Sequence, residues 1–329
     1  MTAALKTGEA RMDYRRLGRS GLQVSLVGLG CNVLGGRVGP EAARILVGEA
    51  LDLGITLFDV ADIYGGAGGV AETILGEALG ARRDAAVLAT KGGFSTVNMQ
   101  RMGASRRYLV GAVEASLRRL KTDRIDLYQI HTPDPETPIE ETLRALEDLM
   151  RDGKILYYGA SNLAAWQAVD AAWTAHHLGL AGYVSVQNEY NLLTRGNDAE
   201  LLPALDAAGV GLIPYFPLAS GLLTGKYRRG VATPAGSRLL APQGMMGKVL
   251  TPANIAAVER LAAFAERCGR SLTELAMAWL ASKPQISSII ASATSGAQMS
   301  QNAAAVGWRM TADEVTTAEG LAAGTDVPF

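Results

Sequence analysis

The strongest constraint on the fold of this chain is an alternation. Short, uninterrupted apolar runs are separated by segments with the 3.6-residue period of amphipathic helices, and the unit recurs roughly every 35 residues. A first strand at 25–30 is followed by helix 41–53, strand 56–59, helix 70–79, strand 86–90 and helix 105–120, which opens at a Ser105 N-cap. The series continues through strand 125–130, helix 139–151, strand 156–159, helix 163–176, strand 183–187, helix 198–208 and strand 210–214. Helices 253–268 and 271–282, strand 286–291 and a last helix from about 296 complete it. Strands without polar alternation are buried on both faces, as in parallel sheets. Eight such strands close a (β/α)8 TIM barrel.

Two features refine this α/β reading. Short strands at 14–17 and 22–24 around Gly18–Gly21 predict an N-terminal β-hairpin, and 219–252 predicts a long loop after the seventh strand. A doubly wound sheet is the alternative, but Gly28–Gly30 lack the GxGxxG spacing of its phosphate loop. The expected organisation is a flexible leader, 1–12, and one barrel domain, 13–329.

Composition excludes several function classes. With 31 basic and 32 acidic residues the net charge is −1, so neither nucleic acid nor an anionic membrane is an expected partner. No apolar run reaches the roughly 18 residues of a membrane span, and the N-terminus lacks a secretory core. Cys31 and Cys268 stand far apart without CxxC or His-rich neighbours, so no disulfide framework and no metal site is expected. A reducing cytoplasm suits such a chain.

In a closed parallel barrel all strand C-termini share one face, where chemistry collects. The polar residues at those ends are Asn32, Asp59 with Tyr64, Lys91, His131, Ser161 with Asn162, Gln187 with Asn188, Tyr215, and Ser292 to Ser295. Singly, each has an ordinary reading: a loop cap, a surface lysine, a satisfied turn histidine. Cys31 reads as an inert thiol. Trp166, Trp173, Trp279 and Trp308 read as packing residues, and His176 and His177 as complements to a helix C-terminus.

Seven stretches change those odds together. FDVADIYG, ATKGG, YQIHTPD, YYGASN, VSVQNEYN, PYFPLASGLLTGKY and IIASATSGAQMSQN follow one another at the expected strand ends. In this order they resemble the motifs of the aldo-keto reductases, over essentially residues 14 to 310. The resemblance implies reduction of aldehydes or ketones with NADPH (NADH possible) by a tetrad of Asp59, Tyr64, Lys91 and His131. The roles suit the side chains. Hydride delivery to a carbonyl needs a proton for the alkoxide, and a neighbouring ammonium brings the Tyr64 phenol closer to working pH. Asp59 would hold Lys91 charged, and neutral His131 would donate to the substrate oxygen.

For the cofactor, the resemblance implies Ser161, Asn162 and Gln187 at the nicotinamide carboxamide and Tyr215 against its ring. It places Leu218, Gly221, Leu223 and Lys226 around the pyrophosphate, and Gln298 and Asn302 at adenine. Many such enzymes carry a basic residue near Thr294 for the ribose 2′-phosphate. Here SATSGAQ has none, leaving Ser292, Thr294 and Ser295 hydroxyls and a helix N-terminus. Phe216 replaces a common serine. The loops 32–40 and 132–138 and the tail after Trp308, with Phe329, are expected to shape the substrate pocket. An alternative is a slow, cofactor-binding regulatory barrel resembling potassium-channel β subunits. A Schiff-base role for Lys91 ranks last, since Asp59 keeps it charged.

Overall fold

A computed structural model of the chain describes residues 12–66, 68–94, 103–227 and 249–325. All but Met12 of the expected leader, the middle of the loop after the seventh strand, and Phe329 lie outside the described residues. Strands β1 (Tyr14–Arg16) and β2 (Gln23–Ser25) pair antiparallel as the hairpin. Eight parallel strands follow: β3 (Val27–Gly30), β4 (Leu57–Asp59), β5 (Val87–Gly92), β6 (Ile125–Ile130), β7 (Ile155–Ser161), β8 (Ser185–Gln187), β9 (Gly211–Leu212) and β10 (Ile289–Ala291). They stand in the order β10-β3-β4-β5-β6-β7-β8-β9. The ring closes where Leu212 donates to the Gln285 carbonyl and accepts from Ser287, and where Ile290 donates to Pro214, at 2.8 to 3.0 Å. This is the (β/α)8 barrel.

Helices α1 (Pro40–Asp52), α2 (Val70–Leu79), α3 (Arg106–Leu120), α4 (Ile139–Arg151), α5 (Ala165–Leu178), α6 (Leu201–Ala208), α7 (Pro252–Arg267), α8 (Leu272–Ser282) and α9 (Gly296–Ala305) lie between or after the strands. Their starts follow capping chemistry. The Ser105, Thr251 and Ser295 hydroxyls accept from the Tyr108, Asn254 and Gln298 amides, and Ser271 forms a capping box with Glu274. A further helix, α10 (Ala312–Leu321), occupies the tail expected to shape the pocket. Its signal is present in the sequence, because Thr311 and Glu314 form another capping box.

The tryptophans divide. Trp279 is fully buried and Trp308 nearly so, but Trp166 and Trp173 are each 68% exposed, against expectation. On α5 the buried stripe is Ala168, Ala171 and Ala175, which turns both indoles to solvent.

The barrel interior has two layers. Leu57, Ala89, Leu127, Ile213 and Ile290 form an apolar lower layer, packed with hairpin residues Leu17 and Val24. Side chains alternate along a strand, so the next inward positions are two residues on. Those above Leu57, Ala89 and Leu127 are Asp59, Lys91 and Gln129. The sequence therefore stacks a polar layer on an apolar one, at the end where the loops meet.

Candidate active site

Asp59 is the hub of the polar layer. Its carboxylate accepts Lys91 Nζ at 2.8 and 2.7 Å, Gln187 Nε2 at 2.9 Å and Gln129 Nε2 at 3.4 Å. Lys91 is fully buried and also donates to the Val60 carbonyl at 3.2 Å. Burial works against its ammonium, but the Asp59 carboxylate and then the Tyr64 hydroxyl outweigh it, and its pKa is raised above the ordinary lysine value. A lysine held this way is a fixed positive charge and a poor amine nucleophile. Its Nζ lies 5.2 Å from the Tyr64 ring centroid.

His131 meets the Tyr64 ring edge-on at 5.8 Å and Phe94 at 5.7 Å. Burial, then the charge of Lys91, pushes its pKa down to about 3, so the imidazole is neutral at working pH. Its Nδ1 is buried without a partner among the described residues.

Asp59, Tyr64 and His131 line one cavity of about 670 Å3, while Lys91 stands behind its wall. The same cavity is lined by Ser161, Asn162, Gln187, Tyr215, Leu218, Gly221, Lys226, Ser292, Thr294, Gln298 and Asn302. Leu223 is not among them. It is fully buried in the core and its amide donates to the Leu218 carbonyl at 3.1 Å, so the structure places this expected contact away from the cavity surface.

Local geometry explains several of these placements. Asn162, at φ +62°, donates to the His131 carbonyl at 3.0 Å and accepts the Tyr215 hydroxyl at 2.8 Å. Ser161 Oγ donates to the Gln187 carbonyl at 2.7 Å. Gly221, at φ +97°, brings bare backbone to Lys226, whose Nζ would lie 3.2 Å from an added Cβ. Gln298 Oε1 accepts the Thr294 amide at 2.8 Å, which ties the start of α9 to the strand end. Phe216 also lines the cavity, edge-on to Tyr215 at 5.0 Å. Arg37, Ser220 and Gln301, which do not stand at strand ends, also line it. Gln129 was not among the expected residues, although its place two residues before His131 signals an inward position.

A profile of the Aldo/keto reductase family matches residues 26–323. The chain belongs to the aldo-keto reductase family. Among its relatives, this aldo-keto reductase is 38% identical over 298 residues to a probable voltage-gated potassium channel subunit beta of Oryza sativa subsp. japonica, covering 88% of this chain and 90% of the relative. It is 38% identical over 302 residues to the protein of the same name from Arabidopsis thaliana, covering 90% and 91%. It is also 34% identical over 307 residues to the L-glyceraldehyde 3-phosphate reductase of Escherichia coli O157:H7, covering 90% and 88%. The family is one of oxidoreductases that generally use NAD(P)H on small carbonyl compounds.

The cavity fits a dinucleotide by the chemistry of its donors. It offers an aromatic face at Tyr215, an amide cluster at Asn162 and Gln187, one ammonium at Lys226 and hydroxyls at Ser292 and Thr294. Among the described residues no group of His, Cys, Asp and Glu could hold a metal ion, and no helix is long and apolar enough to cross a membrane.

Proposed function

We propose that this aldo-keto reductase reduces an aldehyde or ketone to the alcohol, with NADPH as cofactor and Tyr64 as proton donor. The observation that carries the reading is the buried Asp59–Lys91 pair, with its ammonium 5.2 Å from the Tyr64 ring. A nearby positive charge favours phenolate, and so eases release of the Tyr64 proton to the alkoxide that forms beside it. His131, neutral, donates to the same oxygen and stabilises its growing charge. Asp59 fixes Lys91 through two hydrogen bonds and is itself held by Gln129 and Gln187.

When bound, a nicotinamide cofactor would supply the hydride. Ser161, Asn162, Gln187 and Tyr215 would hold its nicotinamide end. Leu218, Gly221 and Lys226 would hold the pyrophosphate. Ser292, Thr294, Gln298 and Asn302 would hold the adenosine. Free Cys31 and Cys268 suit a reducing cytoplasm.

At the adenosine end a specific feature favours NADH beside NADPH. No basic side chain lines the cavity between Ser292 and Asn302, and a Cβ added at Gly296 would collide with the Glu49 carboxylate. A carboxylate close to the first turn of α9 opposes a 2′-phosphate.

The test pairs fluorescence titration with NADPH and NADH against cofactor oxidation over a carbonyl panel, for wild type and Tyr64→Phe. Retained nucleotide binding with turnover reduced at least about 100-fold in the variant supports the reading. Undiminished turnover in Tyr64→Phe removes it. The names of the 38% identical relatives favour a second reading, a nucleotide-binding regulatory barrel with slow turnover. Tight binding with negligible oxidation across the whole panel would select that one.

A further inference from the structure

A second buried polar cluster lies on the outer side of β5, and the chemistry above leaves it unused. Lys91 points into the barrel, so its strand neighbours Thr90 and Gly92 face the helices. Behind them are two carboxylates and one guanidinium. Glu72 of α2 is fully buried and has the better partners: Thr90 Oγ1 donates to its Oε1 at 2.6 Å, and Arg119 Nε donates to its Oε2 at 2.6 Å.

Asp62, between Asp59 and Tyr64 in the sequence, forms no ion pair among the described residues. Its amide donates to the Lys91 carbonyl at 3.1 Å, which locks it to the backbone of the catalytic lysine. The Tyr108 hydroxyl reaches its Oδ2 only at 3.5 Å, and its Oδ1 is buried without a partner among the described residues. The Tyr128 hydroxyl is likewise buried and unpartnered. Both groups close on the α-carbon of Gly92: a Cβ there would collide with the Tyr128 hydroxyl and lie 3.3 Å from Asp62 Oδ2. One guanidinium serves a fully buried carboxylate, Glu72, and leaves the partly buried Asp62 beside it without a counter-ion of its own, which favours its protonated form.

We propose that Asp62 is a positioning residue of the reaction: a partly buried carboxyl whose ionisation places a negative charge behind Lys91 and weakens the ammonium's pull on the Tyr64 phenol. The proposal rests on Tyr64 being the proton donor. The groups facing Asp62 are Glu72 from α2, Tyr108 and Arg119 from α3, Lys91 from β5 and Tyr128 from β6, with Asp59 paired to Lys91 on the barrel side. Burial and then the Glu72 charge push its pKa up to about 7, against the opposing pull of Arg119, the Tyr108 hydrogen bond and Lys91. Coupling is reciprocal. Since Lys91 favours ionised Asp62, ionised Asp62 favours the ammonium and disfavours phenolate. Below neutrality Asp62 is uncharged, as asparagine is. Above neutrality the wild type carries a charge that an asparagine variant lacks, and its Tyr64 holds its proton to higher pH.

The experiment is the pH profile of single-turnover carbonyl reduction at saturating NADPH for wild type, Asp62→Asn and Tyr64→Phe. Wild type and Asp62→Asn should agree within about twofold near pH 6, and the alkaline limb of the variant should fall about half a pH unit earlier. Coincident profiles, or one constant offset at every pH, overturn the proposal. Activity remaining in Tyr64→Phe instead removes the premise, whatever Asp62→Asn does. Should Asp62→Asn fail to fold, infrared spectra of the wild type decide. A protonated-carboxyl band should fade as pH rises through about 7, and at higher pH in Tyr108→Phe, which lacks the hydroxyl that stabilises the anion. No such band near pH 6 would overturn the assignment.

Discussion

Replacing Asp59 by asparagine leaves a positive charge inside the barrel with nothing to balance it. Lys91 is fully buried, among the described residues its anionic contact is the Asp59 carboxylate at 2.7 and 2.8 Å, and its other acceptors are the neutral Val60 carbonyl and Tyr64 hydroxyl. Breaking a buried pair from one side costs about 3–5 kcal/mol. The variant has one escape, which is to fold with Lys91 neutral. From an ordinary lysine pKa near 10.4, that costs about 4.6 kcal/mol at pH 7 and about 1.4 kcal/mol less for each pH unit above it. The sign follows from proton counting. The unfolded variant then binds a proton that its folded form does not, so its stability rises with pH. In the wild type the Lys91 pKa is raised by folding, so its contribution stays present throughout this window and is lost only as pH climbs past the ordinary lysine range. Urea unfolding of both proteins near pH 7 and near pH 9 reads the difference, which should shrink from about 4 to about 2 kcal/mol. An equal loss at both pH values would refute the reasoning, as would a loss below about 1 kcal/mol at pH 7. Asp59→Asn with Lys91→Met should recover stability and remain inactive, because the unpaired charge is gone but so is the field at Tyr64.

His131 has the opposite linkage. Its pKa is pushed down to about 3, so its stabilisation is complete above the ordinary histidine value and is lost as pH falls toward 3. Against His131→Gln, the wild type should lose roughly 2–3 kcal/mol more between pH 7 and pH 4.5 in urea unfolding, and parallel losses would contradict the buried neutral imidazole. At the other end of the cavity, Thr294→Arg should supply the cation that SATSGAQ lacks. Nucleotide titration should then show NADPH tightened relative to NADH by about tenfold, and an unchanged ratio would place the 2′-position elsewhere.

Elements with their own local signal were legible in the sequence. Strand 125–130 and helices 70–79 and 139–151 fall at the expected bounds, and α3 begins one residue later, with Ser105 as its cap. Elements defined by partners were not. The expected strand 286–291 narrows to Ile289–Ala291, because Gln285 to Ser287 instead close the ring against Leu212. That Asp59, Tyr64 and His131 meet at one cavity was legible from strand order together with the family resemblance, whereas the place of Lys91 behind the cavity wall was not. Nor was the face that a polar residue takes. Gln129 bonds to Asp59 inside the barrel, whereas Asp62 sits outside with Glu72 and Arg119, and only the packed sheet tells them apart. Trp166 and Trp173 went wrong for the same reason: hydrophobicity suggested burial, and the alanine stripe of α5 decided otherwise.

The hairpin seated under the strands makes the barrel a cup and not a pipe. Leu17 and Val24, both fully buried, stopper its lower opening. Among the described residues, the way to the polar layer lies through the cavity at the opposite rim. Two ligands lodged in series in such a vessel can depart only in the reverse order of their arrival. The sequence of binding events would then be set by plumbing, before any question of affinity arises.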